Sequence, residues 1–539
     1  MKKFIILIPV YNDWKSVFKL LENIDLQIAE WDAEVFVLIV NDASTEERAS
    51  TKLSYTNLKS VRVMNMKRNQ GHARCNATGL KFLTEKEDFN YVILMDGDGE
   101  DRPEELTSLF KKSKENPLKM VTANRISMLC DISLPYFVAS MANANQYDFD
   151  HFLQWYSRTG TPEVEIVEEY DEQTKTYRAT FSQSNQESAL CIPNVFGLLD
   201  EQGNELASDV IMIDELQKTL EFSGINSKPI ASWFRGFSAP IRVHSNASFQ
   251  QKLFLCVNDS DAFNRWDNAQ QLWLDCILLN EGSHQQKLFA AFAGLLENES
   301  DYALLSEMLS LPSENILHQS VPKIDVGELH CRRESIIQAM LVSLKPVLLS
   351  TYKKLNDNAA FELSPESVGK RALKNLCLSF LAQDGEFELA FEQFNKANCM
   401  SDKLCAFEAL LKIENPYRDE VTEGFYSQYC NDVQVMDKWF AVQSLSPIMS
   451  VERLKMLMKH PLFALTNPNR VRSVLSAFSQ NHIQFHTDEG YQLMADSVIE
   501  LDKINPQMAA RLVSSFNHWR RFSLDYSKLQ HNQLERIYS

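Results

Sequence analysis

The apolar run in YVILMDGDGEDRPEEL breaks at residues 96–101 into four acidic side chains, Asp96, Asp98, Glu100 and Asp101, spaced by Gly97 and Gly99. Carboxylates this close repel one another unless a cation sits among them. The Asp96–Asp98 pair can bind a divalent ion that in turn holds a diphosphate, and oxygen-only ligands suit Mg²⁺ or Mn²⁺. An EF-hand is excluded, because its loop needs Gly at the sixth place and Glu at the twelfth, where Asp101 and Thr107 stand. The competing reading is a solvated acidic turn capping the helix PEELTSLFKKSKE, with Asp101 just ahead of Pro103.

Polar residues also end two other apolar runs: Tyr11 and Asn12 follow FIILIPV, and Asn41 and Asp42 follow VFVLIV. A carboxylate such as Asp42 can accept the N–H of a nucleobase. These groups must be positioned by strands. Runs at 4–10, 35–40, 61–66 and 91–95 are continuous and apolar, as strands covered on both faces must be. Between them, WKSVFKLLENIDLQIA and HARCNATGLKFLTE carry helical spacing. The βαβ pattern predicts a parallel sheet, whose ligands collect at the carboxyl ends of the strands. Three such ends therefore aim polar side chains at one rim.

The rest of the chain reads differently. Residues 137–162 have a helical pattern ending in WYSRTGTP. Short alternating runs (EVEIVEEY, YRATFSQS, KTLEFSG and APIRVHS) separated by turn signals such as Asp200-Glu201-Gln202-Gly203 predict a small β-sandwich. From about residue 247 onward amphipathic helices follow one another with short breaks, which predicts an α-solenoid.

Charge divides the chain in the same place. Residues 1–127 hold 19 Lys/Arg and 19 Asp/Glu, so the remainder carries the whole net charge of −18. An acidic surface of that size disfavours nucleic acid and anionic membranes as partners. No apolar run reaches the roughly 18 residues of a membrane helix, and FIILIPV reads as a strand, not a leader. Ten cysteines without a C-x-x-C pair predict reduced thiols and a cytoplasmic protein.

Two resemblances follow from quoted blocks. IPVYND, VNDASTE, NQGHARCNATGL and MDGDGEDRPEEL resemble, in order and spacing, the signature blocks of inverting GT-A glycosyltransferases of the dolichol-phosphate-mannose-synthase kind. The resemblance implies that Pro9, Tyr11 and Asp42 contact the nucleoside of a nucleotide-diphosphate sugar. It implies that Asp96 and Asp98 face Mg²⁺ or Mn²⁺ and the sugar diphosphate, with Glu100 in a third metal-facing position and Arg125 near the phosphates. The family's acceptor half, with its Q-x-x-R-W element, has no counterpart: the chain's Arg265-Trp266 has Ala262 where Gln should stand.

ANANQYDFDHFLQWYSRTGTPEVEI, FSAPIRV, DAFNRWDNAQQL, KRALKNLCLSFL, VMDKWFAVQSLSP and NPNRVRSVLSAF resemble successive blocks of the non-catalytic carboxyl part of bacterial aminopeptidase N. That family's zinc chemistry needs H-E-x-x-H. None of the eleven histidines is followed by Glu, so no zinc is expected. The pair His482 and His486, with Ile483 where the catalytic Glu would stand, reads as two exposed loop or helix-end histidines. Arg470 and Arg472 are candidates for lining a peptide channel, with helix-end bracing as the competing reading.

The resulting expectation is a multidomain composite. A partial α/β GT-A domain with a parallel sheet spans 1–127 and a junction with a helical remnant spans 128–162. A β-sandwich spans 163–245 and an α-helical solenoid spans 246–539. The joint near residues 126–135 has no Gly/Ser- or Pro-rich linker, a pattern that suggests a recombined or misassembled reading frame. The expected function is nucleotide-sugar and metal binding with weak or no turnover. The alternative is a scaffold that binds peptides or a partner.

Overall fold

The computed structural model describes residues 2–46, 55–69, 71–97, 101, 103–107, 110–111, 151–184, 188–357 and 361–539. It divides into two units, 1–145 and 146–539. Asp98, Glu100 and Arg125, and most of the helix expected at 137–162, lie outside the described residues. Of that helix, one turn at Gln154–Ser157 is described.

In the first unit β1 (Lys2–Val10), β2 (Ala33–Asn41), β3 (Leu58–Asn65) and β4 (Tyr91–Leu94) form a parallel sheet in the order β3-β2-β1-β4. Alternate residues of β1 serve opposite faces. Phe4, Ile6, Ile8 and Val10 meet Val17, Leu20, Leu21 and Ile24 of α1 (Trp14–Gln27). Ile5 and Leu7 meet Cys75 and Leu83 of α2 (His72–Lys86). Helices on both faces explain why the strands read as unbroken apolar runs.

Close approach of α2 depends on Gly79: a Cβ there would lie 2.5 Å from Leu7 Cδ1 and 3.0 Å from Val40 Cγ2. The start of β3 is tied to α1 by buried Asp25, whose carboxylate accepts the N–H groups of Thr56, Asn57 and Leu58 at 2.8–2.9 Å. In this sheet β1 and β2 lie inside and β4 lies at an edge, with Leu94 51% exposed.

The second unit begins as a sandwich. One sheet has the order β11-β5-β6-β9 and the other β10-β7-β8. The strands are β5 (Glu163–Asp171), β6 (Thr176–Ser184), β7 (Ile192–Leu199), β8 (Glu205–Ile213), β9 (Gln217–Ser223), β10 (Ile230–Ser232) and β11 (Arg242–Ser245). The sequence patterns locate β5, β6, β9 and β11 but miss β7, β8 and β10. IPNVFGLL in β7 has an almost wholly buried inner segment, and β8 is largely exposed, so neither alternates cleanly. Arg235 joins the sandwich to the helices. Its guanidinium pairs with Glu205 at 2.5 Å and Asp259 at 2.8 Å, and Gly197 leaves room for it, since a Cβ would lie 2.1 Å from Arg235 Cζ.

The helical region follows, and several of its helices start at side-chain caps: Ser248 closes a capping box with Gln251, Asp261 and Asp325 accept from N3, and Ser364 precedes Pro365. The helices needed below are α3 (Glu314–Ser320), α4 (Val326–Leu355), α5 (Pro365–Gln383), α6 (Met400–Leu411), α7 (Val433–Leu445) and α8 (Asp488–Asp502). One apolar core runs through them, including Leu344, Leu348, Leu373, Cys377, Phe407, Leu410 and Phe440. Among the described residues α4 is the helix long and apolar enough to cross a membrane by length and composition; Ile336, Met340, Leu344 and Leu348 bury it in this core instead.

Candidate functional site

The carboxyl ends of β1, β2 and β4 lie on one side of the sheet, where β1 pairs with β2 as far as Val10–Asn41 and with β4 as far as Leu7–Leu94. Pro9 sits in β1, opposite Val40 of β2. Asn12 takes a left-handed backbone (φ 53°), an arrangement Asn tolerates better than most residues. Its side-chain oxygen accepts the N–H groups of Thr45 and Glu46, and its amide donates to Thr45 Oγ1 at 2.9 Å. Asn41 Oδ1 accepts from Ser44 N at 3.0 Å. The loop after β2 is thus held by two asparagines at neighbouring strand ends.

Asp42 is 4% exposed, and its Oδ2 accepts the Gly71 N–H at 2.8 Å. That bond fixes the turn into α2, where Gly71 has φ +85°. The Tyr11 hydroxyl is buried and makes no hydrogen bond of ordinary geometry. Burial, then the Asp42 charge, push its pKa up. The same two causes push the Cys75 thiol up to about 12, so this buried cysteine is a packing residue and not a nucleophile.

Asp96 follows β4. Its backbone N–H donates to Asp101 Oδ2 at 2.7 Å, so Asp101 braces the turn from within. Gly97 permits the turn to press on the sheet: a Cβ would lie 2.9 Å from Pro9 O. Asp96 Oδ1 lies 2.5 Å from His72 Nε2, and both side chains remain partly exposed, at 33% and 52%. The structure therefore brings Pro9, Tyr11, Asp42 and Asp96 to one rim. His72 is an addition: it was visible only within the block NQGHARCNATGL, with no spacing that links it to Asp96.

A divalent ion with a diphosphate fits what is described here. Asp96 is a partly exposed carboxylate at a strand end, paired with His72, and the Tyr11 hydroxyl lies buried on the same rim. Asp98 and Glu100, the other expected metal-facing residues, lie outside the described residues, as does Arg125.

In the second unit the expected channel arginines separate. Arg470 is 4% exposed, ion-paired to Asp437, bonded to the carbonyls of Val433 and Leu462 and packed over Phe440. This burial favours the bracing reading over the channel reading: its described bonds tie Val433 and Asp437 of α7 to Leu462. Arg472 is exposed and bonds Asn469 at 2.5 Å. A correction concerns His482 and His486, which are not exposed. His486 is 8% exposed and bonds the Tyr491 hydroxyl at 2.7 Å, while His482 is half-buried beside His318. Tyr491, close along the chain, and Phe522, far along it, pack on His486, and His318 packs on His482.

A parallel-sheet unit with a polar strand-end rim, followed by a sandwich and a helical solenoid, defines a composite of two protein classes. Residues 5–157 match the family Glycosyl transferase family 2, and residues 160–246 match the domain of unknown function DUF3458, with an Ig-like fold. The chain belongs to the family described as domain of unknown function (DUF3458_C) ARM repeats, which matches residues 249–539. Aminopeptidase N of Haemophilus influenzae is 34% identical over 432 residues, covering 74% of this chain and 49% of that protein. Aminopeptidase N of Escherichia coli is 32% identical over 433 residues, covering 74% and 50%. A crystal structure of Legionella pneumophila aminopeptidase A in complex with aspartic acid superposes with a TM-score of 0.70 at 29% identity, covering 81% of this chain and 52% of that one. The chain thus spans about half the length of the curated relatives it matches.

Proposed function

We propose that the first unit binds a nucleotide-diphosphate sugar together with Mg²⁺ or Mn²⁺, and that transfer to an acceptor is weak or absent. The convergence of Tyr11, Asp42 and Asp96 at the carboxyl rim of a parallel sheet carries this reading. Tyr11 and Asp42, with Pro9 beneath, would receive the nucleoside. Asp96, with Asp98 and Glu100, would hold the cation, which neutralises the diphosphate; Arg125 would add a positive charge near the phosphates. His72, now against Asp96, would be displaced by the cation or turn to the diphosphate. The weak-turnover part rests on the sequence, which carries no Q-x-x-R-W element. Irregular cysteine spacing supports a cytoplasmic setting.

Calorimetry of the full chain with UDP- and GDP-sugars and Mn²⁺ tests the reading. Metal-dependent heat is expected; a folded protein that gives none refutes it.

A second reading concerns the carboxyl unit. Its likeness to aminopeptidase N, without an H-E-x-x-H motif in this sequence, supports a scaffold that binds peptides or a partner without cleaving them. Chelator-sensitive hydrolysis of an alanyl or leucyl reporter peptide by the full chain would overturn it.

A further inference from the structure

Helix α3 places Glu314 and His318 four residues apart, hence on one face. The segment that precedes α8 brings His482 against them from far along the chain, and the coordinating atoms of the three residues lie within 4.8 Å of one another. Each of the three offers a buried atom with no hydrogen-bond partner: Glu314 Oε2, His318 Nε2 and His482 Nδ1. His318 is 7% exposed. A buried polar atom left without a partner costs stability, and one ligand shared by the three would satisfy them together.

The surroundings are arranged as those of a metal site are. Glu314 Oε1 is engaged by His330 Nδ1 at 2.7 Å, which orients the carboxylate and leaves Oε2 facing the two imidazoles. The nearby cations are committed elsewhere. Arg333 donates to the Pro312 carbonyl and to Glu334, and Arg521 donates to the carbonyls of His318 and Val321. Phe522 packs against His318 and His486, and His486 lies behind, bonded to Tyr491. Burial, then His482, lower the His318 pKa to about 4, and burial lowers that of His482.

We propose that Glu314, His318 and His482 bind a divalent transition ion of the zinc class, with water in the fourth position, clamping α3 to the segment before α8. Two imidazole nitrogens and one carboxylate oxygen are a zinc donor set. Tetrahedral ligands about 2.1 Å from zinc stand about 3.4 Å apart, so a bound ion would draw these atoms, now within 4.8 Å of one another, closer together. This site shares nothing with an H-E-x-x-H motif and departs from the expectation of a chain without zinc. It is also independent of the rim of the first unit.

The test uses the full chain stripped with EDTA and titrated with Zn²⁺ by calorimetry and thermal unfolding. One equivalent of Zn²⁺ is expected to bind at micromolar concentration and raise the midpoint, with EDTA reversing both. His318→Gln and His482→Gln are each expected to weaken this equivalent by more than about 100-fold, and His330→Gln by about 10- to 100-fold. Asp96→Asn leaves it in place. Where a variant fails to fold, Co²⁺ in the wild-type chain decides, with a four-coordinate visible spectrum expected. Absence of that spectrum, no zinc uptake by the folded wild type, unchanged uptake in both histidine variants, or loss in Asp96→Asn would each overturn the proposal.

Discussion

The two units place polar side chains by opposite rules. In the first, polar groups stand where strands end, and the sheet's own geometry leaves them facing a rim: Tyr11, Asp42 and Asp96 each follow a strand of the same parallel sheet. In the second, the buried polar groups engage one another inside the packing. Lys374 of α5 and Asp402 of α6 are paired at 2.5 Å with 7% and 8% exposure, and Asn375 and Gln393 complete their bonds. Arg470 with Asp437, and Arg235 with Asp259, repeat the device. A polar residue at a strand end is poised for a ligand, whereas one satisfied between helices is a strut. The Glu314–His318–His482 cluster differs from these struts: His318 is buried, its two neighbours are half-buried, and each of the three keeps an atom without a partner.

The sharpest way to break this comparison is to remove half of a strut. Asp402→Ala leaves Lys374 buried without its counter-charge and is expected to cost about 3–5 kcal/mol. Urea unfolding reads this, with nucleotide-sugar binding by the first unit retained. Gly79→Ala tests the first unit's own packing. Its Cβ must push Leu7 or Val40, at about 1–3 kcal/mol, and metal-dependent nucleotide-sugar binding falls with stability.

Asp96→Asn sharpens the contrast from the other side. A partly exposed strand-end carboxylate contributes little to folding, so stability stays within about 0.5 kcal/mol. Metal-dependent binding of a nucleotide sugar is expected to weaken by at least about tenfold, equivalent to about 1.4 kcal/mol, measured by calorimetry. The smallest effect belongs to Arg472→Ala. This side chain is exposed, and a change within about 0.5 kcal/mol in denaturant unfolding is expected. A large loss there would show that Arg472 braces the fold as Arg470 does.

Much of this was legible in the residues. Continuous apolar runs with intervening helical spacing identified the parallel sheet, because strands covered on both faces have no polar side to show. Asp42 and Asp96 were legible for the same reason, since strand ends are local features. The sandwich was half legible: β5 and β6 alternate, while β7 lies buried along most of its length and β8 mostly exposed, so periodicity failed at both.

What the sequence by itself determined is therefore the class of each unit and the strand-end carboxylates, all consequences of local periodicity and chain order. The tertiary structure alone decided how distant residues were used. It set His72 against Asp96 by packing α2 on β1 through Gly79, and turned Arg470 inward onto Asp437. It buried His486 and half-buried His482, which as a bare pair resembled exposed loop residues, and gathered Glu314 and His318 to meet His482. Side chains that far apart in the chain are brought together only by burying the apolar core between them, and no local pattern records which ones will meet.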